Sequence, residues 1–293
     1  MSKLNRRDFG VMALAATGCL TLPRELFGKV DSVVNGVAIG AQSYSFRSMP
    51  LQAAIKAMAE IGIGECELWQ GHVEPRRRGT PREELREWRL TVPLKTFEDI
   101  GQSFHDAGVN VHAYNYSFQD NYSDEEIKRG FEMAKALGAK YITASSNVST
   151  AKRIDPYARQ HNMRVGMHNH SRIEPNQFAT PEDFAAAREG NSEYIAINLD
   201  IGHFTAAGFD AAAYLQEHHG DILTLHIKDR KKEQGPNVPF GQGDTPIVEV
   251  LQLVRDKQYP IYANIEYEYD GEDTVAEVKR CLEYCRKALE AKA

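Results

Sequence analysis

Four runs, read together, decide the fold: Met163-Arg164-Val165-Gly166-Met167-His168-Asn169-His170, Ile197-Asn198-Leu199-Asp200-Ile201-Gly202-His203, Thr224-Leu225-His226-Ile227-Lys228-Asp229 and Ala263-Asn264-Ile265-Glu266-Tyr267-Glu268. Each is a short apolar segment that ends in His, Asp, Lys or Glu. That is how a parallel strand carries polar groups to the rim of a barrel. Asp, His and Glu suit Mn, Mg, Co or Zn, and the absence of cysteine among them argues against a structural zinc knot.

Outward from these runs the chain alternates between two periods. Strand-like segments fall at 37–43, 65–69, 109–114, 141–145, 163–168, 194–200, 222–227 and 261–266, and helix-period segments at 51–61, 97–107, 124–137, 181–188, 210–218, 246–257 and 272–289. A weaker helix is expected at 149–160, because Pro156 interrupts it. Eight strand–helix repeats predict an α/β fold, a single-domain (β/α)8 TIM barrel over residues 36–290. A doubly wound sheet is the runner-up. It is disfavoured because Gln42-Ser43-Tyr44-Ser45, not a glycine-rich phosphate loop, follows the first strand.

Composition sets the outer limits. The chain has 293 residues, 42 % of them hydrophobic and 26 % charged, with a net charge of −6. That is enough apolar material for a sizeable core and gives no reason to expect nucleic acid. Four cysteines are too few for a disulfide framework. Cys66, Cys281 and Cys285 are expected to pack as small apolar residues.

The N-terminus reads as a targeting segment rather than as part of the fold. Asn5-Arg6-Arg7-Asp8-Phe9-Gly10 precedes an apolar stretch at 11–22, too short to span a membrane. The pair of arginines followed by Phe9 resembles a twin-arginine export signal over residues 1–32. That implies a periplasmic or otherwise exported protein with no stable membrane insertion after cleavage. An uncleaved anchor is the alternative, and Cys19 after Ala16-Thr17-Gly18 matches a lipoprotein box poorly.

The period of two along the fifth strand puts His168 and His170 on one side and Asn169 on the other, with His168 the inward ligand. Asp200, His226 and Glu266 end the next three strands. The order Leu-Asp-x-Gly-His, His-x-Lys-Asp, Ile-Glu-x-Glu resembles the sugar phosphate isomerase/epimerase group of xylose-isomerase-like barrels, related in architecture to endonuclease IV. The resemblance spans about residues 36–290. It implies one divalent metal, Mn, Mg, Co or Zn, held by His168, Asp200, His226 and Glu266, with His203 touching substrate and Lys228 in the shared His-x-Lys-Asp segment. One departure stands out. Tagatose-type epimerases carry a glutamate where this chain has His168, so the two-glutamate proton transfer of those enzymes is not available here.

The expected activity is therefore that of a metal-dependent sugar isomerase or epimerase. A proton leaves the carbon next to a carbonyl, taken by Glu266 or a metal-bound water, the metal stabilises an ene-diolate, and His203, His170 and Lys228 orient or protonate oxygens. A lyase or hydratase acting on 3-keto sugars or glycosides is the enzymatic alternative, and a non-catalytic sugar-binding barrel the alternative of another class. An abasic-site nuclease is disfavoured, since it needs a three-zinc cluster and a basic groove. The partner is a small carbohydrate, and a homo-oligomer stays open. Glu67, Trp69, His72 and His112 are candidate substrate contacts, with the indole of Trp69 stacking on a sugar ring. Tyr114, Tyr116, Phe118 and Phe204 are candidate pocket walls. The loop Phe240-Gly241-Gln242-Gly243-Asp244-Thr245 either approaches a ligand or caps the following helix. Arg76, Arg77, Arg78, Arg82, Arg86 and Arg89 are expected on a solvated loop and helix face, with an anion clamp as the other reading.

Overall fold

The computed structural model describes residues 28–75 and 80–291. The twin-arginine pair, Cys19 and Arg76 to Arg78 lie outside the described residues. Eight parallel strands form the barrel: β1 (Val37–Gln42), β2 (Glu65–Trp69), β3 (Asn110–Asn115), β4 (Tyr141–Ala144), β5 (Val165–His168), β6 (Ile195–Asp200), β7 (Ile222–Ile227) and β8 (Tyr262–Ile265). Each pairs with the next in order, and β8 pairs with β1 through Ala263 and Ile39, so the sheet closes on itself. Every strand segment read from the sequence has its counterpart, and the doubly wound alternative is excluded.

Around the barrel lie α1 (Leu51–Ile61), α2 (Arg82–Thr91), α3 (Leu94–Asp106), α4 (Asp124–Leu137), α5 (Ala151–His161), α6 (Pro181–Arg188), α7 (Ile201–Ala206), α8 (Ala211–His218), α9 (Ile247–Lys257) and α10 (Thr274–Glu290). Their starts carry ordinary stop and start chemistry. Ser123 and Thr180 form capping boxes with Glu126 and Asp183, and Gly62 and Gly138 end α1 and α4 in the left-handed conformation. Helix α5 corrects the expectation at Pro156. It runs unbroken through that proline, anchored by buried Ile154 and Ala158 and by the buried Asp155 carboxylate, which accepts from Ser192 N at 3.1 Å. One lost backbone bond costs less than the packing retains.

The residues outside the barrel strands also close its base. Val33–Val34 pairs antiparallel with β1, and Val30 N donates to Gly108 O at 2.9 Å. Beyond β7 the chain makes a two-stranded hairpin, Asp229–Arg230 against Asn237–Val238. No helix among the described residues is long and apolar enough to cross a membrane.

The interior of the barrel is polar, whereas such interiors are usually filled by Val, Ile and Leu. Glu67 Oε1 accepts from Gln42 Nε2 at 2.8 Å and Thr143 Oγ1 at 2.6 Å and lies 2.9 Å from His226 Nε2, while Oε2 accepts from Asn264 Nδ2 at 3.0 Å. Side chains of β1, β2, β4, β7 and β8 thus converge on one fully buried carboxylate. The apolar core lies instead between strands and helices. Tyr114, Tyr116, Phe118 and Phe204 are all there, fully buried, against Phe97, Tyr122, Phe131 and Tyr214. They pack that layer ring against ring, buried from solvent, and so do not serve as pocket walls.

Candidate metal centre and active site

Strand register assembles the centre. Asp200 on β6 stands opposite His226 on β7, and His226 stands opposite Asn264 on β8, which places Glu266 just beyond the end of that strand. Asn169 holds the neighbouring turn: its Nδ2 donates to Asp200 O at 3.1 Å and its Oδ1 accepts from Asp200 N at 2.9 Å. That outward amide mimics one more backbone pair and leaves His168 facing in.

The four ends meet. One donor atom from each of His168, Asp200, His226 and Glu266 falls in a group whose members all lie within 4.8 Å of one another. His168 Nε2 is 3.4 Å from Asp200 Oδ2, and His226 Nδ1 is 3.0 Å from Glu266 Oε2. All four residues are buried, and these four atoms form no hydrogen bond. Buried polar atoms are rarely left so, and four on one point fit a divalent cation with two carboxylate and two imidazole ligands.

Their outer atoms are held firmly. Asp200 Oδ1 accepts from His203 N at 2.7 Å, capping α7 and leaving Oδ2 for the centre. Ser145 Oγ contacts His168 Nδ1 at 3.2 Å, and Glu67 takes His226 Nε2, fixing both rings. Burial alone would raise the Glu67 carboxyl, yet the charge and hydrogen bond of His226 hold it below its ordinary value. Glu67 therefore orients a ligand from beneath. All its oxygens are taken, so it is not a substrate contact.

Lys228, expected among the groups that handle substrate oxygens, lies at the heart of the cluster. Its buried ammonium lies 2.5 Å from Glu268 Oε2, 2.7 Å from Glu266 Oε2 and 3.0 Å from Asp200 Oδ2. Burial would discharge it, but these three carboxylates keep it charged. Burial opposes ionisation of Asp200 and Glu266 too. His203 with Lys228 holds Asp200 well below its ordinary range, and Lys228 with His226 does so for Glu266. Close approach of α7 to Lys228 requires Gly202, where a Cβ would stand 2.3 Å from Lys228 Cγ. Glu268 was within the quoted Ile-Glu-x-Glu run, but its pairing with Lys228 comes from the turn after β8.

His203 and His170 join the same end. Their rings are 5.3 Å apart, and those of His168 and His170 4.9 Å. Trp69, two residues beyond Glu67 on β2, packs edge-on to Tyr44 and His72. His72 braces it, with Nδ1 2.9 Å from Ser43 Oγ and Nε2 3.3 Å from Phe46 O. His112 is not near the rim. It is fully buried, stacked on Tyr262 at 4.0 Å, with Nδ1 3.5 Å from Glu65 Oε2. Tyr262 and Glu65 are the first residues of their strands, so His112 belongs to the N-terminal end. A cleft of about 970 Å³ lined by Glu65, Lys140, Tyr141 and Tyr262 is also at that end, away from the ligand atoms.

Two further expectations are corrected. The loop 240–245 does not cap the following helix but is tied to Asp229, whose Oδ2 accepts from Gly241 N at 2.7 Å and Gly243 N at 2.9 Å. Helix α9 begins without a side-chain cap. Arg89 is buried rather than solvated, with Nε 2.7 Å from Glu74 Oε1 and Nη1 3.2 Å from Glu126 Oε1. Cys66, Cys281 and Cys285 are buried and free, as read.

Comparison with known proteins agrees with this fold. Over 104 residues the chain is 32 % identical to L-ribulose-5-phosphate 3-epimerase UlaE of Escherichia coli, a match covering 35 % of this chain and only 36 % of that enzyme. Its fold is similar to that of 3-keto-D-glucoside 4-epimerase YcjR of E. coli (TM-score 0.65, 15 % identity, 86 % of this chain and 99 % of that one). It is also similar to that of AsbF of Bacillus anthracis, assigned as a 3-DHS dehydratase (TM-score 0.62, 17 % identity, 84 % and 98 %). The family model described as xylose isomerase-like TIM barrel matches residues 55–288. With four of its last strands ending on one buried donor cluster, the chain belongs to the xylose isomerase-like TIM-barrel family.

Proposed function

We propose that this protein is a divalent-metal-dependent sugar isomerase or epimerase. The observation that carries the reading is the set of four buried, unbonded donor atoms at the ends of successive strands. His168, Asp200, His226 and Glu266 would hold the ion, and when bound it supplies Lewis-acid polarisation of a sugar oxygen. Glu266, held ionised beside Lys228 and His226, would take the proton from the carbon next to a carbonyl with the carboxylate oxygen that the ion leaves free. The C–H electrons move toward the carbonyl oxygen, whose growing charge the Lys228 ammonium is placed to meet. His203 and His170, at the mouth of the same end, orient the remaining oxygens, and Trp69 offers an aromatic edge to the sugar.

His168 favours a second reading. With an imidazole where a second glutamate would return the proton from the opposite face, loss of a β-substituent from a 3-keto sugar also fits. We propose export by the twin-arginine route as well, motivated by Arg6 and Arg7. Periplasmic recovery that is unchanged after Arg6→Lys and Arg7→Lys would refute it.

Incubation in deuterated water with Mn and a panel of free, phosphorylated and 3-keto sugars tests the activity. Proton spectroscopy should show one carbon-bound hydrogen replaced by deuterium, the product distinguishing isomer, epimer and eliminated sugar. Bound sugar without exchange or turnover, with or without metal, would identify a binding barrel instead.

A further inference from the structure

Arg230 makes no hydrogen bond to the four ligands, yet it is buried beside them. Its Nε and Nη2 donate to Gly235 O at 3.1 and 2.6 Å, and Nη1 donates to Ser171 Oγ at 2.8 Å and to His203 Nδ1 at 2.7 Å. A guanidinium has donors only, and the paired bonds to Gly235 fix its plane. The His203 nitrogen it meets is therefore an acceptor.

The other ring nitrogen, Nε2, is 3.2 Å from Lys228 Nζ, which also has no acceptor. A neutral imidazole offers one acceptor nitrogen, so one of the two contacts must yield. The ammonium yields. It donates to Glu268 Oε2 at 2.5 Å and faces Glu266 Oε2 and Asp200 Oδ2 as ion partners at 2.7 and 3.0 Å, so it can turn its hydrogens away from the ring, whereas the planar guanidinium cannot turn. Nε2 keeps its hydrogen, 3.9 Å from Asp200 Oδ2 and 4.0 Å from Glu268 Oε2, beyond hydrogen-bond reach of either.

We infer that Arg230 is a positioning residue that holds His203 in its Nε2–H tautomer, so that His203 meets a substrate oxygen as a fixed hydrogen-bond donor and not as a base. This rests on the proposed reading of the site as one that handles oxygen-bearing substrates. The ring nitrogen that carries hydrogen is set by what the other one bonds, and a donor aimed in advance costs no reorganisation during reaction.

The test is a proton–nitrogen correlation spectrum of the full chain labelled with 15N-histidine and loaded with Mg, His203 being assigned with His203→Gln. The expected signature is an unprotonated Nδ1 and a protonated Nε2. Arg230→Met should blend the two tautomers and lower kcat by about 10²-fold with KM nearly unchanged, and Arg230→Lys should restore part of both. A merely scaffolding Arg230 would lower the melting temperature and leave the signature in place. Retention of the signature in Arg230→Met overturns the inference. A wild-type spectrum with hydrogen on Nδ1, or on both nitrogens, overturns it even if no variant folds. The expected wild-type signature without sugar C–H exchange would refute the proposed activity and leave the role of Arg230 standing.

Discussion

Two buried ionic clusters in this molecule share composition but not construction. Around Arg89, the guanidinium meets Glu74 through Nε and Nη2 at 2.7 and 3.0 Å and Glu126 at 3.2 Å, and lies 4.4 Å over the Tyr122 ring. Glu126 Oε2 also accepts from Ser123 N at 2.9 Å, closing the cap of α4. Around Lys228, by contrast, Asp200 Oδ2 and Glu266 Oε2 lie within ion-pair distance of the ammonium without hydrogen-bond alignment, and two imidazole nitrogens beside them are unbonded. The first cluster ties α2 and α4 together. The second leaves two imidazole nitrogens with no partner among the described residues, and the carboxylate oxygens facing them have only the ammonium. Buried charge that is satisfied marks scaffolding, and buried charge left unsatisfied at strand ends marks a site.

Removing one member of the Lys228 cluster should strike function and spare the fold. Asp200→Ala or Glu266→Ala is expected to abolish stoichiometric metal and to lower turnover by about 10³-fold, since rim residues do not build the core. Stability should change little. Elemental analysis beside circular dichroism decides the matter, and full metal content in either variant would remove that residue from the ligand set. The Arg89 cluster should respond in the opposite way. Arg89→Ala removes the buried guanidinium that Glu74 and Glu126 share, while Arg86 stays 3.6 Å from Glu126 Oε2, and should cost about 3–5 kcal/mol, with metal content per folded molecule intact. A urea unfolding midpoint equal to that of the wild type would mean that satisfied burial is not what holds α2.

The same contrast explains what could be read from sequence. The barrel was legible because each apolar strand is short and bounded, and the ligands because each ends its strand. Arg89 was not, because Arg82–Thr91 is a helix whose inward face carries an arginine, and an apolar period cannot report a buried guanidinium. Asp229 was readable only as part of His-x-Lys-Asp. Its grip on the backbone of Gly241 and Gly243 depends on a hairpin whose turn has no strand pattern. His112 reads as a candidate substrate contact, but β3 begins at Asn110, so the histidine sits low in the barrel.

Glu67 joins the two kinds of construction and gives the smallest and most discriminating effect. Like Glu74, it is fully engaged, but its partner His226 is itself a candidate ligand 159 residues away, so only closure of the barrel brings them together. Glu67→Gln preserves shape and removes the charge that steadies the His226 ring. Metal affinity should fall by about 10- to 100-fold, the usual cost of losing such a support, while the four ligands remain. Stability without metal should hardly move, because the amide can still bond Gln42 or Asn264 on one side. Competition with a coloured chelator measures the first quantity and thermal unfolding in excess chelator the second. Unchanged metal affinity with a large drop in metal-free stability would place Glu67 with Arg89, as scaffolding for the barrel interior, and would leave His226 to be held by its strand and by the Asn198 amide 3.0 Å from its Nε2.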